Sequence, residues 1–424
     1  MKNGNLLKNL AVKLWPLNRS IAGKATNKSL KILKNIIPKL KIKKNKSGKK
    51  IFDWKIPYEW EVNKAMIIDK KKNIIIDYNH NNLHLVTFSK SFNGTLSNKD
   101  LKKKIFTLKN LPNAIPYRTS YYKKDWGFCV SFNDYKKLND PFYNVIIKTK
   151  FRKGHMRYGE ILIKGKSKKE ITFSTNICHP SLANNELSGP VVMTYIAKLL
   201  LKKKNKYSYR LLFIPETIGS LAYLFENLEK MKKNFIAGFN CVCLGYKKGY
   251  SYLPSKNEDS TANYLALKAL KKTQKKFKRY TWLDRGSDER QYCSPLANLD
   301  FASLMTTKYG DYKEYHTSLD KLDLTVDSKS LFRGYKLIAN LISLIEKEIF
   351  PISNCVGEPQ MGKRNMYPTT GGGIPNKNIR NIMNVISYCD GKTPSELIAE
   401  KCKIKKNKIN ELLILLKKNK IIKF

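Results

Sequence analysis

Apolar residues recur with a strand-like period between residues 51 and 140. Residues 51–140 contain short β-rich runs separated by turns of Asn, Lys and Pro, such as NHNN, FNGT and LPNAIP. Alternation and β-branched residues predict four strands here, in KAMIIDKK, NIIIDYN, LHLVTFS and WGFCVSF. This segment is therefore predicted to be a small β-rich domain.

Strands and helices alternate between residues 143 and 350. The predicted strands are YNVIIKTKF, EILIKGK, EITFSTNI, RLLFIP, NFIAGFNCVCLG and FASLMTT. Helical spacing of apolar residues predicts helices in GPVVMTYIAKLLL, ETIGSLAYLFENLEKM, TANYLALKALKKTQKKF and LTVDSKSLFRGYKLIANLISLIEKEIF. Such alternation indicates a three-layer α/β/α domain, in which polar side chains just past the strand ends form the site.

The two ends of the chain differ from this central part. The apolar spacing from residue 30 to 37 predicts an amphipathic helix, which either packs on the protein or lies on a membrane surface. Three short helical patterns near the C-terminus indicate a winged helix-turn-helix. The predicted domains are a discontinuous α/β domain at 1–50 and 141–350, an inserted β-rich domain at 51–140, a Gly- and Pro-rich linker at 351–375 and a winged helix at 376–424.

The charge balance raises a question about partners. Lys and Arg together number 82 against 33 Asp and Glu, which gives a formal net charge of +49. A nucleic-acid-binding surface is one explanation, but only 11 of the basic residues are Arg, which such surfaces favour for bidentate contacts. A Lys-rich composition spread over a solvated surface is the other explanation, and the one we favour.

Lysine is absent from three windows of the sequence. Residues 170–197, 211–229 and 281–307 contain no Lys, and each window carries a net negative charge. Burial alone would exclude Lys, but these windows also hold His179 and Glu216 within apolar or turn-rich stretches. Because a carboxylate in such surroundings needs a metal, an Arg or backbone N–H groups as partners, we expect the chemistry here.

The cysteines and the longest apolar runs bear on the compartment. Eight Cys are scattered along the chain without a CxxC pair, which excludes a disulfide scaffold and disfavours a zinc knuckle. No apolar run reaches the ~20 residues that a membrane span needs, and the N-terminal segment lacks the uninterrupted apolar stretch of a signal peptide. These features predict a cytoplasmic protein with reduced thiols and no membrane span. They leave open whether the protein forms a homo-oligomer.

Two of the five histidines lie beside acidic residues at strand-to-loop junctions. His179 and Glu216 each follow a predicted strand, His316 lies in KYGDYKEYHTSLD, and Asp288 and Glu289 lie in DRGSDERQYCSP. Imidazole and carboxylate groups bind zinc, and a further carboxylate can deprotonate the water that zinc activates. The set therefore predicts a hydrolytic metal site, although each histidine taken alone would be read as structural. No HExxH motif occurs, which excludes a helical zincin of the usual form.

Several strings around these residues resemble a bacterial family of aminopeptidase-like proteins. ICHPSLANNELSGPVVMTYIAKLL, FIPETIGSLAYL, DRGSDERQYCSP and KYGDYKEYHTSLD are similar to the DUF4910 family, which is distantly similar to the M28 zinc aminopeptidases and is often described in connection with polysaccharide biosynthesis. LWPLNRSIAG, IFDWKIPYEW, AIPYRTSYYKKDWGFCVS and the winged-helix tail also fit, and the inserted domain resembles DUF2172. The resemblance covers essentially the whole chain and implies an M28-like α/β/α fold.

The resemblance also implies a metal site. In the M28-type pattern His179 and His316 match histidine ligands, and Asn185 stands where an aspartate bridges two zinc ions. Glu186, beside Asn185, is the substitute ligand that we expect. Glu216 matches the general base, or would be a metal ligand if the site has been rebuilt. Since the later aspartate ligand would fall near GFNCVCLG, which holds no carboxylate, the resemblance implies one zinc ion more readily than two.

Further residues complete the implied catalytic machinery. Asp288 matches an aspartate that lines the site of the M28 fold, and it joins Glu216 as a predicted catalytic residue. Arg285 and Arg290 could bind a carboxylate or a sugar acid of the substrate, while ion pairs with acids of their own DRGSDER segment are the alternative we favour. The predicted reaction is metal-assisted hydrolysis of an amide in a small peptide or amide-containing substrate, linked to surface-polysaccharide biosynthesis, with Glu216 transferring the proton to the leaving amine.

Two other functions stay open at this point. The missing aspartate ligands would suit a binding or scaffold protein that keeps the peptidase fold without its chemistry. The tail after residue 400 carries nine Lys and one Glu, which would suit a DNA-binding regulator. The same tail is dense in Leu and Ile, which suits packing or dimerisation at least as well, so a nucleic-acid partner is not favoured.

Overall fold

The structure is a computed structural model that describes residues 2–274, 276–366 and 377–424. The last nine residues of the predicted linker, 367–375, and the first residue of the predicted winged helix, 376, lie outside the described residues. The helices, numbered along the chain, are α1 (Lys2–Leu14), α2 (Lys24–Ile36), α3 (Asn98–Lys102), α4 (Phe132–Lys136), α5 (Ser188–Leu201), α6 (Ile218–Asn234), α7 (Thr261–Thr273), α8 (Glu289–Tyr292), α9 (Ser328–Ile345), α10 (Lys377–Ser387), α11 (Ser395–Lys401) and α12 (Lys406–Lys418). The strands are β1 (Lys41–Lys46), β2 (Lys50–Ile51), β3 (Trp54–Lys55), β4 (Glu59–Ile68), β5 (Ile74–Asp77), β6 (Phe92–Ser97), β7 (Ile105–Phe106), β8 (Phe128–Cys129), β9 (Phe142–Arg152), β10 (His155–Ile163), β11 (Glu170–Asn176), β12 (Ser208–Ile214), β13 (Phe235–Asn240), β14 (Ser251–Leu253), β15 (Lys278–Arg279), β16 (Phe301–Met305), β17 (Ile352–Ser353) and β18 (Ile422–Lys423).

An eight-stranded mixed sheet forms the centre of the molecule, in the order β1-β10-β12-β11-β13-β16-β14-β15. Its four middle strands, β12, β11, β13 and β16, run parallel to one another. Every residue of these four strands is buried, because helices cover both faces of the sheet. Along β12, Leu211 and Phe213 join the core on one face, whereas Leu212 and Ile214 join the core on the other.

Helices lie on both faces of this sheet and complete the predicted three-layer α/β/α arrangement. Helices α1, α2, α5, α7 and α9 contribute to the larger core, and α6 and α8 contribute to the smaller core on the opposite face. Leu30 and Leu33 of α2 are completely buried in the larger core. The apolar face of the predicted amphipathic helix is thus used for packing inside the protein.

A second, four-stranded antiparallel sheet has the order β5-β4-β9-β6, so β9, which lies beyond the predicted end of the β-rich segment at residue 140, pairs with the strands of that segment. Two predictions within this segment are wrong. LHLVTFS is not a strand, because the Asn81 side chain accepts a hydrogen bond from the Leu83 N–H and starts a 3₁₀ turn at Asn82–His84. WGFCVSF keeps only the two residues of β8 as a strand, because Ser131 caps α4 immediately afterwards.

Other boundaries also differ from the sequence prediction. The sequence FNGT, predicted as a turn, begins strand β6, which pairs with β9 along its whole length. Helix α7 ends at Thr273 rather than at Phe277, and α9 begins at Ser328 because Asp327 caps it through the Ser330 N–H. Helix α1 was not predicted, although Leu7, Leu10, Ala11 and Leu14 have helical spacing, and the Lys-rich edge strand β1 was not predicted because it holds a single apolar residue.

The C-terminal helices α10, α11 and α12 pack around a core of their own, and β18 pairs with β17. Several contacts join this unit to the central domain. The Lys268 ammonium of α7 pairs with Glu348 at 2.9 Å and with Glu396 of α11. The Lys169 ammonium donates hydrogen bonds to the carbonyl oxygens of Phe350 and Gly391, at 2.6 and 2.7 Å. No helix among the described residues is both long and apolar enough to cross a membrane.

The packing of α9 beside the central sheet can be tested at Gly334. A Cβ atom added there would lie 2.0 Å from the carbonyl oxygen of Leu244. We expect G334A to lower the free energy of unfolding by about 2 kcal/mol, because the helix must move away from this backbone. Urea denaturation measures the change. The matched control is G362A, whose Cβ would meet nothing within 4 Å, and equal effects of the two substitutions would contradict the packing described.

Candidate active site

The predicted site residues meet at the carboxyl edge of the parallel strands. His179 follows β11 by three residues, and Glu216 follows the neighbouring strand β12 by two. Parallel strands end at one edge of a sheet, so the two side chains lie close together, with His179 Nε2 and Glu216 Oε2 separated by 3.8 Å. The placement agrees with the general position of sites in open α/β sheets.

Glu186 fixes the orientation of the His179 ring. Its Oε2 atom lies 2.9 Å from His179 Nδ1, and its Oε1 atom accepts hydrogen bonds from the backbone N–H groups of Cys178 and of His179, the latter at 3.0 Å. A single π-helical turn, Ala183–Leu187, carries Glu186 back toward the end of β11. Because Nδ1 is occupied by Glu186, Nε2 is the ring nitrogen that faces Glu216.

His316 completes a pair of imidazoles. Its ring centroid lies 5.2 Å from that of His179, and Tyr315 stacks on its other side at 3.9 Å. The Nε2 atom of His316 lies 3.2 Å from the side-chain nitrogen of Asn185, the residue that stands where the M28 pattern has a bridging aspartate. If the Asn185 amide group were rotated, its side-chain oxygen would face His316 Nε2 in place of its nitrogen. The backbone of His316 has a positive φ of 53°, which marks a fixed turn.

The two histidines have opposite protonation preferences. Burial disfavours the charged form of His179, but the carboxylates of Glu186 and Glu216 outweigh burial and raise its pKa. Burial, reinforced by the neighbouring His179, lowers the pKa of His316 to about 3. His316 is therefore neutral at physiological pH, with a lone pair available for a cation.

Glu216 lies in a polar and largely enclosed position. Its Oε1 atom accepts a hydrogen bond from the Ser287 hydroxyl at 2.7 Å, and Ser287 in turn accepts one from the Asn176 side chain at 3.0 Å. Burial raises the pKa of Glu216, while the nearby His179 acts in the opposite direction. A carboxylate with a raised pKa can take a proton from water and hold it until the leaving group needs it.

Asp288 supports the turn that carries Glu216. It is completely buried, and its Oδ1 atom accepts hydrogen bonds from the Thr217 N–H at 2.7 Å and the Ser220 hydroxyl at 2.9 Å. Thr217 itself has a positive φ of 65°. Burial, together with the charge of Glu216, raises the pKa of Asp288 well above its usual range. Asp288 thus contacts the backbone next to Glu216.

The favoured prediction of internal ion pairs for the two arginines is wrong. Among the described residues, neither Arg285 nor Arg290 pairs with an acid of its own segment: Arg290 donates to the Thr217 hydroxyl at 2.8 Å, and Arg285 lies over the Trp282 ring. Both arginines are exposed. The neighbouring Glu289 carboxylate instead accepts hydrogen bonds from Gly286, Ser287, Tyr309, Asn240 and Ser303.

A strap from the β-rich segment, residues 113–122, crosses the site. The Tyr117 ring lies 4.9 Å from the His179 ring and 5.1 Å from the His316 ring, and its N–H donates to the His316 carbonyl at 2.7 Å. The strap is held by reciprocal hydrogen bonds between Ile115 and Ser318. Sequence reasoning did not place Tyr117 in the site, because no local pattern relates residue 117 to residue 316.

Arg19 is a second residue that sequence reasoning missed. Its guanidinium is completely buried and donates one hydrogen bond to the Leu14 carbonyl at 2.5 Å. Its Nε and Nη2 atoms have no hydrogen-bond partner among the described residues. Burial lowers its pKa to about 10, while Glu186 and Cys178 act against that shift. The N-terminal segment thus supplies a buried cation near Glu186.

Asp320 anchors the turn that holds Asn185. Its two carboxylate oxygens accept hydrogen bonds from the backbone N–H groups of Asn184 and Asn185, at 2.8 and 3.0 Å. The hydroxyls of Tyr312 and Thr325 donate to the same carboxylate. Burial raises the pKa of Asp320, which these hydrogen bonds partly offset.

We expect D320N to lower the free energy of unfolding by about 2 kcal/mol, because an amide cannot accept all of these hydrogen bonds. Urea denaturation measures the loss. The control is D323N, the same substitution at a side chain that is 68% exposed and paired with Lys8, which should change stability by less than about 1 kcal/mol. Equal losses for D320N and D323N would show that Asp320 does not anchor the turn.

Comparison with known proteins decides the family. A family model described as a domain of unknown function, DUF4910, matches residues 8–348. The chain belongs to the DUF4910 family. A winged helix-turn-helix family model matches residues 350–424 of this DUF4910 protein, which confirms the predicted C-terminal domain. The resemblance of the inserted segment to DUF2172 stays a prediction, as does the division into domains.

Relatives of this DUF4910 protein agree with the fold. A Clostridium acetobutylicum protein, provisionally named a polysaccharide biosynthesis protein with an aminopeptidase-like domain, is 38% identical over 373 residues, covering 88% of this chain and 85% of its own. A crystal structure from the same species, provisionally named a peptidase, has a TM-score of 0.81 and 35% identity over 100% of this chain and 96% of that one. A zinc aminopeptidase from Bacillus subtilis has a TM-score of 0.58 at 14% identity, covering 81% of this chain and 94% of its own. A peptidase M28 precursor from Shewanella amazonensis has a TM-score of 0.57 at 11% identity, covering 82% of this chain and 93% of its own. These likenesses confirm the M28 aminopeptidase fold.

Donor groups of the kind that bind zinc lie together in this DUF4910 site. His179 and His316 offer imidazole nitrogens on rings whose centroids lie 5.2 Å apart, and the carboxylate of Glu216 lies 3.8 Å from His179 Nε2. Among the described residues, the one group of three such side chains whose ligand atoms lie within 4.8 Å of one another is Cys178, His179 and Glu186, a group that includes neither His316 nor Glu216. A bridged pair of ions would need further carboxylates, but Asn185 is neutral, and Cys243 rather than an acid lies 3.9 Å from its side-chain oxygen.

Proposed function

We propose that this protein is a metal-dependent hydrolase of the aminopeptidase type, which cleaves an amide or peptide bond with the help of one zinc ion. The observation that carries the proposal is the fixed His179 ring, whose Nδ1 is committed to Glu186 and whose Nε2 faces Glu216. The aminopeptidase-like fold and the provisional names of the relatives support a peptidase-type hydrolase.

His179 and His316 are the residues that we expect to hold the ion. When bound, zinc would polarise the scissile carbonyl and lower the pKa of a water molecule. Glu186 keeps His179 in the tautomer that presents Nε2, and its own direct ligation, which the resemblance implied, would require it to give up hydrogen bonds to Cys178 and His179. Asn185 stands beside His316 as a neutral neighbour.

Glu216 is the proposed proton carrier. Ser287 and the turn held by Asp288 keep its carboxylate facing His179, and its raised pKa lets it accept a proton from water and return it to the leaving amine. Asp288 therefore acts in the proposed reaction by positioning Glu216. Arg290, which reaches Thr217 next to Glu216, and the exposed Arg285 are the proposed partners of a carboxylate on the substrate.

The biological setting is part of the proposal. The name of the C. acetobutylicum relative supports a role in surface-polysaccharide biosynthesis. The inserted segment, with its proposed likeness to DUF2172, contributes the Tyr117 strap to the site. A DNA-binding regulator acting through the C-terminal winged helix and a catalytically reduced scaffold are the alternatives. The pairing of His179 with Glu186 and Glu216 favours the hydrolase over both.

The proposal is tested with the full-length protein, stripped of metal by a chelator and reloaded with zinc. A panel of aminoacyl p-nitroanilides serves as the substrate set. We expect amine release that appears on reloading and disappears when the chelator returns. If no substrate of the panel is hydrolysed by protein that holds zinc, the scaffold alternative replaces the hydrolase.

A further inference from the structure

We infer that a cleft beside the active site binds the anionic carbohydrate portion of the substrate. The inference rests on the proposed function, since it names the class of molecule that the site would act on. We define the aromatic cleft by the rings of Tyr58, Phe88, Tyr121, Tyr122 and Phe151 and by four lysines at its rim. Its volume of about 550 Å³ lies within the range of small-molecule sites.

Exposed rings are concentrated around this cleft. The exposed fractions are 44% for Tyr58, 43% for Tyr121, 52% for Tyr122 and 42% for Phe151. Trp54, whose ring centroid is 6.5 Å from that of Tyr122, continues the same surface. Aromatic side chains normally bury most of their area, so a group of open rings marks a binding surface.

The rim of the aromatic cleft carries positive charge alone. Its lysines are Lys55, Lys90, Lys123 and Lys124, and none of the lining residues is acidic. Within the described part of the chain, no carboxylate lies within ion-pair distance of these four ammonium groups, although lysines elsewhere, such as Lys104 with Asp125, do form such pairs. A negatively charged ligand in the cleft would therefore be attracted by all four ammonium groups.

The aromatic cleft is connected to the candidate site through the strap at residues 113–122. Tyr121 belongs to the strap that carries Tyr117 across the histidine pair. The Tyr121 ring lines the aromatic cleft, so one segment of chain contributes both to the cleft and to the surroundings of the histidine pair. A substrate with its scissile amide at Glu216 would extend its remote part past Arg290 and Tyr121 into the cleft.

Carbohydrate chemistry fits this combination of groups. A sugar ring offers a flat face of C–H groups that packs on an aromatic face, and its hydroxyls can bond the tyrosine hydroxyls and the ammonium groups. Carboxylate, phosphate or sulfate substituents would meet the lysines. A concave cleft of this volume encloses a few rings of a chain, whereas a bilayer surface would need a protruding apolar surface.

The test measures binding to the full-length protein by isothermal titration calorimetry, with and without zinc. The probes are tetragalacturonate and a heparin-derived tetrasaccharide as anionic glycans, and maltotetraose as a neutral one. The acidic peptide Glu-Phe-Glu-Phe and phosphatidylglycerol vesicles represent the other possible occupants. We expect saturable one-to-one binding of at least one anionic glycan, about tenfold tighter than that of maltotetraose, since four ammonium groups act on the charge.

Variants locate the binding site. Y122A, Y58A and the double variant K123E/K124E should each weaken glycan binding about tenfold. The controls are Y388A, at a tyrosine that is 38% exposed in the winged helix, and K43E/K44E, two exposed lysines of β1. These controls should leave the affinity unchanged, and thermal melting confirms that each variant is folded.

Several outcomes would overturn the inference. It fails if neither anionic glycan binds, if the peptide or the vesicles bind in their place, or if the cleft variants bind like the controls. The readout is independent of turnover. Glycan binding without amide hydrolysis would refute the proposed function but support the assignment of the aromatic cleft as a glycan-binding site. Zinc-dependent hydrolysis without glycan binding would refute only that assignment.

Discussion

Replacing Glu216 with Gln should slow amide hydrolysis by about a thousandfold while the protein keeps its fold and its metal. The amide side chain is nearly the same size and can still accept the hydrogen bond from Ser287, but it cannot take a proton from water. Initial rates on the best aminoacyl p-nitroanilide measure the effect. Zinc content and thermal melting are recorded on the same sample.

The control for this substitution is E229Q on α6. Glu229 is 88% exposed and pairs with Lys232 on the surface, so the same chemical change should alter the rate less than about twofold. A rate for E216Q within tenfold of the unmodified protein would contradict the role of Glu216 as the proton carrier. Loss of zinc from E216Q would contradict it as well, because Glu216 would then be a ligand.

Substituting His179 by Ala should abolish zinc retention and reduce hydrolysis to background. The substitution removes one of the two proposed imidazole ligands, the ring whose Nδ1 is committed to Glu186 and whose Nε2 is left for the ion. H316A should behave in the same way. E186Q should lower zinc affinity less severely, by about 10- to 100-fold, because Glu186 holds the His179 ring and leaves both imidazoles in place.

Zinc affinity measured by competition with a chromophoric chelator separates these variants. H80A is the matched control, because His80 is exposed on a turn of the β-rich segment and should bind zinc as the unmodified protein does. If H179A retained zinc with unchanged affinity, the metal would lie elsewhere. If E186Q lost as much affinity as H179A, Glu186 would be a direct ligand.

Much of the central fold follows from local sequence patterns. The parallel strands β11, β12, β13 and β16 were predicted because their apolar runs end at turn or helix-start residues, and helices follow them with the expected spacing. The same reasoning located His179 and Glu216, since both lie just past a predicted strand. Burial on both faces of the sheet makes these patterns strong.

The remaining features depend on contacts between distant parts of the chain. Tyr117 enters the site because the strap is hydrogen bonded to residues about two hundred positions later, at 316 and 318. Arg19 is buried near Glu186 by the packing of the N-terminal segment. The strand predicted at LHLVTFS was lost to a turn that one asparagine side chain caps. The periodicity of apolar residues along the sequence carries no information about contacts between such distant residues.

The central claim is that this DUF4910 protein holds one zinc ion between His179 and His316. Metal analysis of the purified full-length protein by inductively coupled plasma mass spectrometry, after incubation with zinc and removal of the excess, tests it most directly. The account predicts about one zinc per chain. A value near zero would contradict the hydrolase, and a value near two would contradict the conclusion that Asn185 prevents a bridged pair of ions.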